Sequence, residues 1–172
     1  MKDQIHEKER TLQFQDLIEQ HKGILLKVAR TYCRNETERE DLFQEISIQI
    51  WRSMDRYNSE FKISTWLYRI SINTAISFYR KHSKRQENTI PLDENTPAYA
   101  DENTEKETQL DMLEKFINEL NDFDKALMLL YLEEKSHIEI ADITGITPSN
   151  VGTKIGRIKE KLKLRFSKIN KL

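Results

Sequence analysis

The sequence predicts an all-α protein built as two small helical domains joined by a flexible acidic linker. Three observations predict it. Outside 86–109, apolar residues recur mostly three and four positions apart, the period of a helix that buries one face. Only four Gly and three Pro interrupt 172 residues, so helices can run long. Charge is also segregated. Residues 51–85 hold eight basic and two acidic residues, a net of +6, and 149–172 hold eight and one, a net of +7. Between them 86–124 hold two basic and twelve acidic residues, a net of −10. The formal total of −1 conceals two cationic modules around an anionic middle, a pattern that points to nucleic acid.

Composition excludes several classes. The chain is 37% hydrophobic and 33% charged, with no apolar run near the length of a membrane span. MKDQIHEKER lacks the apolar stretch of a signal peptide, so a cytoplasmic protein without stable membrane insertion is expected. Cys33 is the single cysteine, which leaves no internal disulfide and predicts a buried thiol. His6, His21, His82 and His137 are scattered without metal-ligand spacing. No Gly-rich phosphate loop and no nucleophile with its base is evident. Neither catalysis nor a metal or cofactor is expected.

Taken in order, 11–33 reads as a helix on Leu17, Ile18, Ile24, Leu25, Val28, Ala29 and Tyr32. Thr37 and Glu40 have capping-box spacing and open a second helix that runs to about Met54. Leu42, Ile46 and Ile50 form its core side, while Ile48 and Trp51 either cap that core or form a docking surface. A loop over 57–64 leads to a long helix starting at Ser64 or Thr65. Leu67, Ile70 and Phe78 fall on one side of it, and Tyr68, Ile72, Ile76 and Tyr79 on another. Arg69, Asn73, Arg80, Lys81, Lys84 and Arg85 are interleaved. Rings beside cations suit single-stranded nucleic acid, by stacking bases and tracking phosphates; a bundle core and a solvated helix end are the alternative. Residues 86–109 carry two Pro and seven acids against one Lys, the composition of a linker. The domains are thus expected at 1–88 and 108–172, with the linker at 89–107. Helical spacing resumes with Leu110, Leu113, Phe116, Ile117 and Leu120, and Asn121 or Asp122 can cap the next helix.

Ser136 to Phe166 reads as a helix-turn-helix. Ser136 and Glu139 form a capping box, with Ile138 and Ala141, and less regularly Ile140 and Ile143, as its apolar side. Gly145 can stop that helix with φ > 0, and Thr147-Pro148 starts the next. Val151, Ile155, Ile158 and Leu162 make one stripe. Ser149, Asn150, Thr153, Lys154, Arg157 and Lys161 lie opposite it. Short polar groups first and cations behind suit a helix entering a major groove by its N-terminus. Gly152 and Gly156 weaken the helix by about 1 kcal/mol each relative to Ala, or allow close approach of DNA or another helix. A chain carrying such a module could be an ordinary dimerising repressor or activator, a DNA-rearranging enzyme or a protein-only adaptor.

Asp41-Leu42-Phe43-Gln44-Glu45, Trp51, and Phe61 followed by Thr65-Trp66-Leu67-Tyr68-Arg69-Ile70 and Asn73 resemble the second conserved region of bacterial sigma factors. Glu139-Ile140-Ala141 with Val151, Ile155 and Arg157 resembles their fourth region. Two such regions without a third resemble the extracytoplasmic-function group. The resemblance implies a transcription initiation factor that binds RNA polymerase core through the largest-subunit clamp and the flap. It implies promoter DNA, double- and single-stranded, and an anti-sigma factor as further partners. It matches Asp41, Leu42, Gln44 and Glu45 to clamp docking. Asn58, Phe61, Lys62, Ser64, Trp66, Arg69, Asn73 and Arg80 match minus-ten recognition and melting. Ser149, Asn150, Thr153, Lys154, Arg157 and Lys161 match minus-thirty-five readout. Family members often carry a basic residue at the position of Gly152 and a larger one at Gly156, which leaves the upstream contacts open.

Overall fold

A computed structural model describes residues 2–88 and 109–169, with side chains over 7–81 and 113–167. The linker expected at 89–107 lies outside the described residues. Among the described residues seven α-helices follow in order: α1 (Lys2–Tyr32), α2 (Glu36–Ser53), α3 (Ile63–Asn88), α4 (Gln109–Glu119), α5 (Asp122–Leu132), α6 (His137–Thr144) and α7 (Pro148–Ile169). Among the described residues a short 3-10 turn, Met54–Arg56, follows α2.

The first domain is α1–α3, packed pairwise. Leu25, Val28, Leu42, Ile46, Ile50 and Leu67 are fully buried there. Burying each such side chain stabilises the fold by about 1.5–3 kcal/mol. α1 begins nine residues earlier than the apolar period predicts, because 2–10 is rich in good helix formers without an apolar stripe. This extension reaches Trp51. The Arg10 guanidinium lies 4.4 Å over the Trp51 ring, and Phe14 meets it edge-on at 5.2 Å. Trp51 is therefore half-buried beneath Arg10 and Phe14, while Ile48 stays exposed. The start of α2 also differs from expectation. Asn35, not Thr37, is the N-cap, and its side chain accepts from Glu38 N at 2.7 Å. Asn is at least as good a cap as Thr, and starting earlier adds two residues to the helix.

The second domain is α4–α7. Asn121 caps α5 by accepting from Asp124 N at 2.9 Å. α5 closes with Glu134 at φ 55, so that Lys135 N donates to Leu130 O and Glu134 N to Tyr131 O, the paired bonds of a Schellman end. Ser136 and Glu139 form the reciprocal capping box at the start of α6, and Gly145, at φ 78, ends it. Val151, Ile155 and Ile158 are buried as predicted. One expectation is overturned: Ile138 is 65% exposed, and Ile140, Ala141 and Ile143 are the buried face of α6. On a helix of eight residues both sets fit the period, and packing against α7 chooses between them.

The two domains touch. α5 lies against α1 and α3, and α6 against α3. Tyr32, nearly fully buried, donates its hydroxyl to Asp122 O at 2.7 Å, and burial pushes that phenol's pKa up. Cys33 is buried as expected, and burial, then Glu38, raises its thiol to about 11.

Candidate nucleic-acid interface

Three surfaces hold the residues singled out by the sequence. The first is the outer side of α2. Asp41 and Gln44 are exposed, and Glu45 is half-buried, accepting from Gln49 Nε2 at 2.8 Å. Gln44 borders a cleft of about 380 Å³ between α1 and α2, lined also by Leu26, Ala29 and Phe43. Leu42 does not belong with the other three as a contact residue. It is fully buried in the core and can act only by holding α2 in place.

The second surface joins the 57–62 loop to α3. The loop is built by its own contacts: Tyr57 donates its hydroxyl to Phe61 O at 3.0 Å, and its ring lies 5.2 Å from that of Trp66. Asn58 accepts from Glu60 N at 3.3 Å across Ser59, whose φ is 56. The Arg69 guanidinium covers the Phe61 ring at 4.8 Å. Phe61, Ser64, Trp66 and Arg69 are half-buried, and Asn58, Lys62, Asn73 and Arg80 are exposed. Asn73 sits apart from the loop, on a second cleft of about 460 Å³ with Glu45, Gln49, Thr74, Ser77, Phe78 and Lys81. Of the α3 rings, Tyr68 is buried and donates to Glu133 Oε2 at 3.3 Å. Burial and the Glu133 charge both raise the pKa of its phenol. Tyr79 is exposed, under Lys125 Nζ at 5.3 Å. Tyr57 was not singled out by its sequence, although its position at the head of a loop with Phe61 was the available signal.

The third surface is the exposed side of α7. Thr147 caps the helix by accepting from Asn150 N at 3.3 Å. Ser149, Asn150, Thr153, Lys154, Arg157 and Lys161 are all exposed, opposite the buried stripe. Lys154 Nζ lies 5.5 Å over the Phe123 ring, so this cation is held near the helix start. A Cβ at Gly152 would meet His137 Cε1 at 3.3 Å, whereas one at Gly156 would meet nothing within 4 Å. The close approach at Gly152 is thus to α6. Among the described residues no group of three His, Cys, Asp or Glu could hold a metal ion. No helix there is long and apolar enough to cross a membrane.

Comparison with known proteins matches both domains. Residues 17–85 match the family description "Sigma-70 region 2", and 110–162 match "Sigma-70, region 4". The chain is 30% identical over 145 residues to an ECF RNA polymerase sigma-E factor of Haemophilus influenzae, covering 77% of this chain and 76% of that one. It is 26% identical over 152 residues to RNA polymerase sigma factor SigV of Bacillus subtilis, covering 88% and 89%. In fold it is similar to the sigma factor RpoE from Bartonella quintana, solved with the anti-sigma factor NepR. That likeness has a TM-score of 0.66 at 19% identity over 88% of this chain and 97% of the other. CnrH, solved with the cytosolic domain of CnrY, has a TM-score of 0.64 at 21% identity over 90% and 87%.

Proposed function

Since the chain belongs to the extracytoplasmic-function group of RNA polymerase sigma factors, we propose that it directs core polymerase to promoters by dividing three tasks among its three surfaces. Asp41, Gln44 and Glu45 dock on the clamp of the largest subunit. The loop with Asn58, Phe61, Lys62 and Ser64, and the helix with Trp66, Arg69, Asn73 and Arg80, open and read the minus-ten element. The exposed side of α7 reads the minus-thirty-five element in the major groove. Residues 1–88 and 108–172 act as the two units, and 89–107 as the acidic tether, which would lie in a basic channel of the polymerase. The flap and an anti-sigma factor are further partners, the latter by analogy with the relative solved beside NepR.

The observation that carries this reading is the face separation of α7. Val151, Ile155 and Ile158 are buried while every α7 side chain proposed for base or phosphate contact is exposed. Trapping an unstacked base must offset an extrusion cost of a few kcal/mol, for which half-buried rings beside cations are suited. The test is transcription from a promoter library with purified core. Asn150→Ala or Lys154→Ala should weaken upstream recognition by about 1–3 kcal/mol where the contact is to a base. Gln44→Ala with Glu45→Arg should abolish core binding at unchanged circular dichroism. Retained core affinity would sink the α2 assignment, and a sequence-independent loss at α7 would reduce its role to phosphate contact.

A further inference from the structure

Arg10 is tied to the end of α2 in three ways. Its Nη2 donates to Trp51 O at 3.0 Å and lies 3.1 Å from Asp55 Oδ2. Its guanidinium covers the Trp51 ring at 4.4 Å, and Phe14 meets that ring edge-on at 5.2 Å. Trp51 O is in the last turn of α2, the negative end of the helix dipole, where a cation is favoured. The Arg10 Nε is buried without a hydrogen-bond partner among the described residues. An unpaired buried donor carries a desolvation cost, so the flat stack on Trp51 is kept although one bond is lost. Arg10 and Phe14 both precede residue 17, where the match to the sigma-factor family begins. The contact therefore reaches from outside the matched stretch onto a residue inside it.

What Arg10 holds leads directly into the loop proposed for the minus-ten element. Asp55 lies in the 3-10 turn Met54–Arg56, and Tyr57 N closes that turn by donating to Met54 O at 3.1 Å. The Tyr57 hydroxyl then donates to Phe61 O, and its ring lies against that of Trp66. Each link is a contact between neighbours, so a shift of the turn is carried to Phe61 and Trp66. We propose that Arg10 is a positioning residue for promoter opening: it fixes the end of α2 so that the 57–62 loop is already in place to trap an unstacked base. The proposal rests on the minus-ten reading of that loop given above. Extruding a base is costly in itself, and a loop that had to be ordered at the same moment would add its own entropy cost. A loop held beforehand by packed and hydrogen-bonded neighbours avoids that second cost. The stack and the carbonyl bond carry the effect. The Asp55 side chain is 72% exposed, and an ion pair so open to water contributes little.

The test compares two templates in the holoenzyme reconstituted from the full-length chain and purified core. One is a promoter recovered from the library, as a duplex. The other is the same promoter with its minus-ten stretch mismatched and so already open. Permanganate reactivity of unpaired thymines follows opening of the duplex, and the rate of initial transcript synthesis is read on both templates. Arg10→Ala should open the duplex about tenfold more slowly, from the loss of one ring stack and one charged hydrogen bond. It should transcribe the pre-opened template at close to the wild-type rate, with core affinity unchanged. A merely structural role would lower both templates alike. Arg10→Lys keeps the cation and the stem, and it replaces Arg10→Ala should that variant fail to fold. It should show the same template-selective loss, because one ammonium cannot both lie flat on Trp51 and reach Trp51 O. Equal loss on both templates overturns the proposal. So does wild-type opening of the duplex by Arg10→Ala, or by Arg10→Lys where it is the variant used. Phe61→Ala checks the reading beneath the proposal. If that variant opens the duplex at the wild-type rate, the minus-ten role of the loop is what fails, and the role of Arg10 falls with it.

Discussion

Gly152 and Gly156 are four apart on one helix, yet they stand in different surroundings. A methyl group at Gly156 would meet nothing within 4 Å, so Gly156→Ala should stabilise the protein by about 1 kcal/mol through helix propensity alone. The check is a denaturant melt at unchanged slope. Loss of duplex affinity in the same variant would mean that DNA comes close to that backbone. At Gly152 the added Cβ would sit 3.3 Å from His137 Cε1. The exposed imidazole must turn aside, so Gly152→Ala should gain less than Gly156→Ala in the same melt. Glu134 is the converse case, a residue with a Cβ at φ 55. Glu134→Gly should stabilise by about 1 kcal/mol by relieving that conformation.

At the scale of the element, α6 depends most on its ends. It has eight residues, a reciprocal cap at Ser136 and a left-handed glycine after it. Ser136→Ala should cost about 1 kcal/mol. The Glu139 carboxylate accepts from Ser136 N and Oγ, both at 3.0 Å. Those bonds from Ser136, and then Lys62, hold its pKa below the usual carboxylate range. A carboxylate whose pKa is depressed on folding contributes stability that is complete above its unfolded value and is lost as pH falls through the folded one. Thermal melts from neutral pH to below the ordinary carboxylate range should therefore show wild type converging on Glu139→Gln at the acid end. A constant difference between them would show that the charge is not what caps the helix.

For the molecule as a whole, charge segregation is the dominant feature, and the tether concentrates the negative part. Asp93, Glu94, Asp101, Glu102, Glu105 and Glu107 lie within the segment joining two cationic modules. A segment covalently joined to both modules keeps such groups near them at an effective concentration on the order of millimolar. Neutralising the six to Asn or Gln should raise duplex DNA affinity of the polymerase-free protein, most at low salt. Labelled promoter DNA titrated against both proteins measures this, and coincident curves would make the segment a spacer only. Duplex DNA reports on the outer side of α7, whose polar and cationic residues are exposed.

The elements and their ends were legible in the sequence where local chemistry decides them. The cap at Ser136, the stop at Gly145, the start at Thr147-Pro148 and the stripe of Val151, Ile155 and Ile158 all depend on residues within a few positions of one another. Resemblance in Asp41 to Glu45 and Thr65 to Ile70 similarly needed no coordinates to reach the family. Other features depended on what lies across a gap in the chain. Ile138 or Ile140 could equally face inward until α7 packed on one side of α6. Trp51 could be open or covered until α1 extended over it, whereas the stripe of Leu42, Ile46 and Ile50 had already turned Leu42 inward, against the contact role the resemblance implied. Most of all, no periodicity reveals that Arg69 meets the carbonyl of Asp142, 73 positions away. Caps and stripes are written in neighbouring residues, whereas such a contact exists only once two separately folded surfaces meet.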